Sequence, residues 1–198
     1  MKNIYLILIC LLLISCSSTN IEKEVLRDFI NYNNSNNLVP YKIMQNAIPK
    51  IQALERYEKA YVYRNTPLNI FDPKRAVVYG PRPYVWPIDS LEIINLKKTI
   101  KDDTIPVQWR DEDFIKSNYV IIKMDTLNYR INIKKYKGNS GLFISKPIIS
   151  ANKDYALIAS KTSIALEYRY GIPDVFLLKK ENDKWVVKNN YSWLFIYE

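Results

Sequence analysis

The chain has 198 residues, 48% hydrophobic and 25% charged, a balance that suits one globular core and excludes a chain disordered throughout. Its formal charge is +9 and it contains no histidine, which removes Ser-His and Cys-His nucleophile systems together with the commonest zinc and iron ligand. Glycines stand only at positions 80, 138, 141 and 171, so there is no glycine-rich phosphate loop and nucleotide-driven chemistry is excluded.

Lys2 gives the first residues a positive charge, Ile4 to Ile14 form an apolar run interrupted by Tyr5 and Cys10, and Ser15 is a small residue directly before Cys16. The run has the length of a secretory h-region and falls short of the roughly 20 apolar residues that a spanning helix needs. Leu13-Ile14-Ser15-Cys16 resembles the lipobox of bacterial lipoprotein signal peptides, which implies cleavage after Ser15 and a diacylglycerol on the Cys16 thiol. Cys10 fits poorly, because bulky Ile9 precedes it and the apolar run continues past it. The resemblance implies residues 1–15 as signal peptide, 16–20 as lipidated cysteine and short tether, and 21–198 as a single domain at the cell envelope. Ser17 stands where an aspartate often retains lipoproteins at the inner membrane, which points to the outer membrane. An ordinary cleaved signal or a short anchor is the alternative. With Cys10 removed and Cys16 lipidated, no disulfide and no thiol chemistry remain. The address argues against nucleic acid as the use of the basic charge and favours weak attraction to anionic headgroups or envelope glycans.

Thr19 with Glu22 fits a capping box, and Ile21, Val25, Phe29 and Tyr32 place an apolar stripe on a helix that ends within Asn33-Asn34-Ser35-Asn36-Asn37. Pro49 suits a first helical position, and Ile51, Leu54, Tyr57 and Tyr61 recur at helical spacing, predicting a helix from about 49 to 64. Half of the ten prolines lie between Pro67 and Pro87, leaving room only for a short strand over 75–79 and an edge segment at Tyr84-Val85-Trp86. Asp89 with Glu92 caps a short helix through Leu96, or Leu91 and Ile93 alternate as a strand; both readings stand. Residues 97–104 read as a polar connector, and 111–117 as one helical turn or two.

From Asn118 the period becomes two. Tyr129, Ile131 and Ile133 alternate with polar residues, and 138–141 form the following turn. Segments 155–159 and 175–178 are apolar on both faces, which places them in the middle of the sheet, covered on one side by the helices. Glu181-Asn182-Asp183 is a hairpin turn in which Asn and Asp take positive φ, and 191–197 form a last aromatic strand. The expected fold is α+β: N-terminal helices packed on a mostly antiparallel, meander-like sheet formed by the C-terminal half.

Ser145-Lys146-Pro147-Ile148-Ile149-Ser150, Tyr155-Ala156-Leu157-Ile158, and the run from Phe176 to Trp185 through Lys180-Glu181-Asn182-Asp183-Lys184 together resemble the tail of small envelope proteins of Bacteroidetes-type bacteria. The matching residues are hairpin and core types, so the resemblance implies a shared fold and no shared chemistry. Where those proteins often carry a turn rich in glycine and cysteine, this chain has 168–173 with Gly171 alone.

Carboxylates are the chemistry left. Asp102-Asp103 and Asp111-Glu112-Asp113 flank Trp109, and paired carboxyls beside aromatic surface are what glycoside hydrolysis requires. In a polar connector such pairs are more commonly solvated turn and cap residues. Asp111-Glu112-Asp113 lacks the spacing of a dedicated calcium loop, and no metal or cofactor is implied. Lys134-Lys135-Tyr136-Lys137 is a basic cluster whose plain reading is a solvated strand end. Sixteen tyrosines provide either an adhesive face or half-buried sheet residues. These observations favour a non-enzymatic, lipid-anchored module that binds an envelope protein or glycan in an immunity-type or accessory role. The alternative is a carboxylate-dependent hydrolase of envelope polysaccharide, and a spacer within a membrane complex is a third.

Overall fold

A computed structural model describes residues 20–34, 41–65, 76–79, 84–100, 103, 107–115, 119–123, 140–164 and 173–193. Helix α1 spans residues 20–33, so Asn20 belongs to the helix and not to the tether. Its buried arc is Val25, Leu26, Phe29 and Ile30, while Tyr32 is 55% exposed. Leu26 and Ile30 add a second row beside Val25 and Phe29, turning the centre of the apolar arc away from Tyr32.

Helix α2 runs over Lys50–Val62. Pro49 is its N-cap (φ −56°, ψ 135°), so the helix starts one residue later than the sequence suggests. Helix α3 runs over Ser90–Thr99, and the Asp89 carboxylate accepts from the Glu92 N–H at 2.9 Å, the cap that decides between helix and strand. It therefore continues into the stretch that reads as a connector.

The strands are β1 Tyr41–Met44, β2 Ala76–Tyr79, β3 Tyr119–Ile122, β4 Ser140–Ile144, β5 Ile148–Ile149, β6 Tyr155–Ile164, β7 Asp174–Glu181 and β8 Lys184–Trp193. They form one mixed sheet in the order β2-β8-β7-β6-β4-β1-β3, with β5 attached to β6. The meander β6-β7-β8 is antiparallel, as are the β4-β6 and β2-β8 pairs, whereas β1 lies parallel to both β3 and β4. The architecture is α+β, with helices earlier in the chain and most strands later.

Particular segments differ from the sequence reading. The short strand expected over 75–79 forms as β2, but β1 and β2 bring the N-terminal half into the sheet, Ser140 and Gly141 already belong to β4, and Tyr191–Trp193 are the end of β8. Tyr84-Val85-Trp86 pairs with no strand among the described residues. The strand expected over 129–134 lies outside the described residues.

Asn182 and Asp183 join β7 to β8 with φ of 49° and 59°, the left-handed pair that matches the twist of a two-residue hairpin. Asn189 faces Leu177 while Val187 faces Leu178, so Lys188 is an extra residue that bends β8.

Ala156 to Ala159 in β6 and Val175, Leu177 and Leu178 in β7 are fully buried, as central strands should be. Both faces of the sheet are covered, not one. Met44, Phe143, Leu157, Ala159, Leu177 and Tyr191 pack with α2 and Ile93 of α3. Ile43, Leu142, Ile144, Ala156, Ile158, Leu178 and Trp185 pack with α1 and with Trp109 and Phe114. Neighbouring residues of one strand point to opposite faces, so a run apolar at every position is satisfied only when each face has its own cover.

Candidate functional site

Two buried serines show how the quoted C-terminal motif is used. The Ser145 N–H donates to the Ala159 carbonyl and its hydroxyl oxygen accepts from the Ala159 N–H, each at 2.9 Å, closing the β4-β6 ladder before Pro147. The Ser150 N–H donates to Tyr155 O at 2.9 Å, while its hydroxyl donates to Asn152 Oδ1 at 2.6 Å and accepts from the Tyr155 N–H at 3.0 Å, which locks the turn whose tip is Lys153 at φ 62°. Lys146 has a different use. Its ammonium lies 5.9 Å from the centre of the Trp109 ring and 3.9 Å from Asp113 Oδ1.

The carboxylates around Trp109 are organised by backbone pairing. Trp109 N–H donates to Gln45 O at 2.7 Å and Ala47 N–H to Val107 O at 2.8 Å, so 107–109 lies beside the chain leaving β1. That pairing turns Trp109 inward. It is 2% exposed, its ring centre is 4.9 Å from Phe114, and Phe114 continues to Tyr119 at 4.7 Å. The aromatic surface that a sugar would stack on is therefore core.

Asp111–Asp113 form a single 3-10 turn. Asp113 Oδ2 accepts from the Arg110 N–H at 2.9 Å, and the Arg110 guanidinium meets Glu112 at 3.2 Å. Asp111 is exposed, and the Glu112 side chain is 71% exposed. Asp103 is half-buried in the turn after α3, its N–H donating to Ile100 O at 2.9 Å. Cys16, Asp102 and the 134–137 cluster lie outside the described residues. Among the described residues no group of three or more His, Cys, Asp or Glu is placed to hold a metal ion. Nor is any described helix long and apolar enough to cross a membrane.

Sequence reasoning passes over the aromatic and cationic groups between α2 and the sheet. Tyr57 and Tyr191 meet edge to face at 5.2 Å, with Trp86 at 5.9 Å and 5.3 Å from them and Tyr61 at 6.1 Å from Trp86. The Arg64 guanidinium lies 3.7 Å from the Tyr61 ring centre. The Tyr57 hydroxyl donates to Ile88 O at 3.1 Å and accepts from Ile88 N–H at 3.2 Å, anchoring the approach to α3. Burial pushes the Tyr57 and Tyr191 hydroxyls well above the ordinary tyrosine value. On the same helix Arg56 is buried, and burial lowers its guanidinium to about 10 against the opposing pull of Asp174. Helical spacing with Ala53, Tyr57 and Ala60 is the signal that finds Arg56, because it lies on the same arc.

Chemically, the described carboxylates can cap, pair and stay solvated, and the aromatic cluster supplies packing with satisfied hydroxyls. Comparison with protein-family models, with curated proteins and with solved structures finds no match.

Proposed function

We propose that the chain is a non-enzymatic, lipid-anchored protein of the cell envelope, held at the outer membrane through Cys16, that binds a protein or glycan partner there in an immunity-type or accessory role. The observation that carries it is Leu13-Ile14-Ser15-Cys16 with only Ser17, Ser18 and Thr19 before the first residue of α1. A lipidated cysteine so close to a folded domain is an anchor in itself, since each buried methylene contributes about 0.8 kcal/mol and two or more acyl chains hold a protein stably. The carboxylates at 111–113 support binding over hydrolysis. A glycosidase needs one carboxyl kept protonated in an apolar pocket and a second held ionised beside it. Here Asp113 is engaged with Arg110 and Lys146, Glu112 and Asp111 face solvent, and Trp109 is turned into the core.

Cys16→Ser tests the anchor: the variant is expected in the soluble fraction, and a variant that still pellets with membranes after a high-salt wash overturns the reading. Crosslinking in the native envelope followed by pull-down is expected to recover one defined partner. Turnover of peptidoglycan or another envelope glycan between acid and neutral pH is expected to be nil. A rate abolished by substituting Asp102, Asp103, Asp111, Glu112 or Asp113, with the fold intact, would replace the binding module with the hydrolase.

A further inference from the structure

We propose that the end of the domain formed by the 150–155 turn, the Asn182-Asp183 turn and the start of α1 lies against the bilayer headgroups. The end where α1 and α2 finish and β7 begins then points away from the membrane. The inference rests on lipidation of Cys16 and adds an orientation to it.

Three residues separate Cys16 from Asn20. At about 3.3–3.6 Å per residue, the step from one Cα to the other spans at most about 14 Å. The first turn of α1 is thereby held near the lipid, and the fold fixes what surrounds it. Glu24 meets Lys180 at 3.7 Å and Phe29 meets Phe176 at 5.1 Å, so α1 runs antiparallel to β7 and begins where β7 ends. Glu22 pairs with Lys50 at 3.0 Å, which brings the start of α2 to the same end. The Lys180 N–H donates to Asp154 O at 2.8 Å, tying in the 150–155 turn, and Asn182-Asp183 closes the hairpin beside it.

The start of α3 is held there too, because Glu92 Oε1 accepts from the Ala151 N–H at 2.7 Å. Beside Glu92 in the first turn of α3 is Leu91, 66% exposed, an apolar residue one helical step from that contact and of the kind that enters the headgroup region. Lys50 and Lys180 are paired with Glu22 and Glu24, and the exposed Lys153 and Lys184 of the two turns each stand next to an aspartate in sequence, Asp154 and Asp183, so little net charge is left at this end and the contact depends on the tether and on Leu91. The far end is out of reach. β8 rises about 33 Å over its length and α2 about 20 Å, ending in the exposed Tyr63, Arg64 and Asn65.

The test uses the full lipidated protein in phosphatidylethanolamine/phosphatidylglycerol vesicles. With the Cys16 thiol in a thioether and Cys10 removed with the signal, an introduced cysteine is the one free thiol. Leu91→Cys, Lys184→Cys and Asn65→Cys are each labelled with a fluorophore and quenched by nitroxide-headgroup lipid, reading only protein that sediments with the vesicles. Quenching several-fold stronger at 91 and 184 than at 65, unchanged by raised salt, is the expected result. Equal quenching at all three positions, or stronger quenching at 65, overturns the orientation while leaving the anchor standing. Protein that reacts with maleimide at Cys16 and stays in the supernatant overturns both together.

Discussion

The two faces of the sheet are sealed by different means. On the α1 face the cover is almost wholly apolar: Val25, Leu26, Phe29 and Ile30 lie over Ala156, Ile158, Leu178 and Trp185, with Trp109 and Phe114 alongside. Its main polar fixture is Asp28, whose Oδ2 accepts from the Trp185 N–H at 2.8 Å while Oδ1 pairs with Arg27 at 2.8 Å. The α2 face has its own apolar core, Leu54, Ile93, Phe143, Leu157 and Leu177 among it, but adds large side chains with polar ends, namely Tyr57, Tyr191 and Trp86, and buries Arg56 and Asn189 as well. Apolar burial is indifferent to pH and forgiving of direction. Phenols and guanidinium are neither, because each needs a partner in a set direction. The α1 face should thus fail by loss of volume, and the α2 face also by loss of hydrogen bonds or by titration.

The largest expected effect belongs to the apolar face. Truncating a buried tryptophan costs about 3–5 kcal/mol, so Trp185→Ala should lower the denaturant midpoint strongly with an unchanged slope. A midpoint equal to the parent's would show that Trp185 does not fill this core and would break the comparison at its first term. Asp28→Ala comes next. It removes a charge-assisted hydrogen bond from the first residues of β8 and from Arg27, an effect of about 1.5–3 kcal/mol measured by the same titration.

Tyr57→Phe sharpens the contrast from the other face. The ring stays, but Ile88 loses both the acceptor of its N–H and the donor to its carbonyl, which costs about 1–3 kcal/mol in a buried site. The same residue carries a pH signature. Burial raises the Tyr57 and Tyr191 hydroxyls above 10, so the folded state keeps protons that the unfolded chain releases. Their contribution is fully present below pH 10 and is lost as the pH climbs from 10 through the raised folded values. Tyrosinate absorbance should show these two phenols ionising only as the protein unfolds, and Tyr57→Phe should flatten part of the alkaline loss. Ionisation of every tyrosine in the native state near pH 10 would contradict the buried cluster.

What was legible in the sequence follows from range. The Asn182-Asp183 turn and the α2 arc of Leu54 and Tyr57 depend on neighbours within a few residues, and both form where the local pattern puts them. The central placement of β6 and β7 follows from apolar runs too continuous for a one-sided strand. β1 was not legible: Tyr41–Met44 is short, sits between prolines, and is a strand only because β3 and β4 lie parallel on either side of it. Trp109 misled for the same reason. Carboxylates flank it in sequence at 102–103 and 111–113, and its burial is dictated by Gln45, on a distant stretch of chain. Arg56 inverts the rule that charges go outside, and the arc it shares with Ala53 and Ala60 outweighs that rule.

The smallest expected effect concerns the acidic turn. Glu112 was a candidate acid or base on sequence grounds, yet it sits in a three-residue 3-10 turn with its side chain 71% exposed and an equally solvated Arg110 as partner. An exposed pair of this kind is worth between zero and about 1 kcal/mol, and a surface substitution away from core and caps stays within about 0.5 kcal/mol. Glu112→Gln should therefore leave the denaturant midpoint within error of the parent. Asp113→Asn, one residue on, should cost more, because Asp113 caps the Arg110 N–H and reaches Lys146 over the Trp109 ring. The pair of variants separates a turn that matters for holding Trp109 inward from one that matters for chemistry. If Glu112→Gln destabilised the fold as much as Asp113→Asn, the turn would be tied to the α1-face core through Glu112 as well, and the division between sealed face and solvated acidic rim would have to be redrawn.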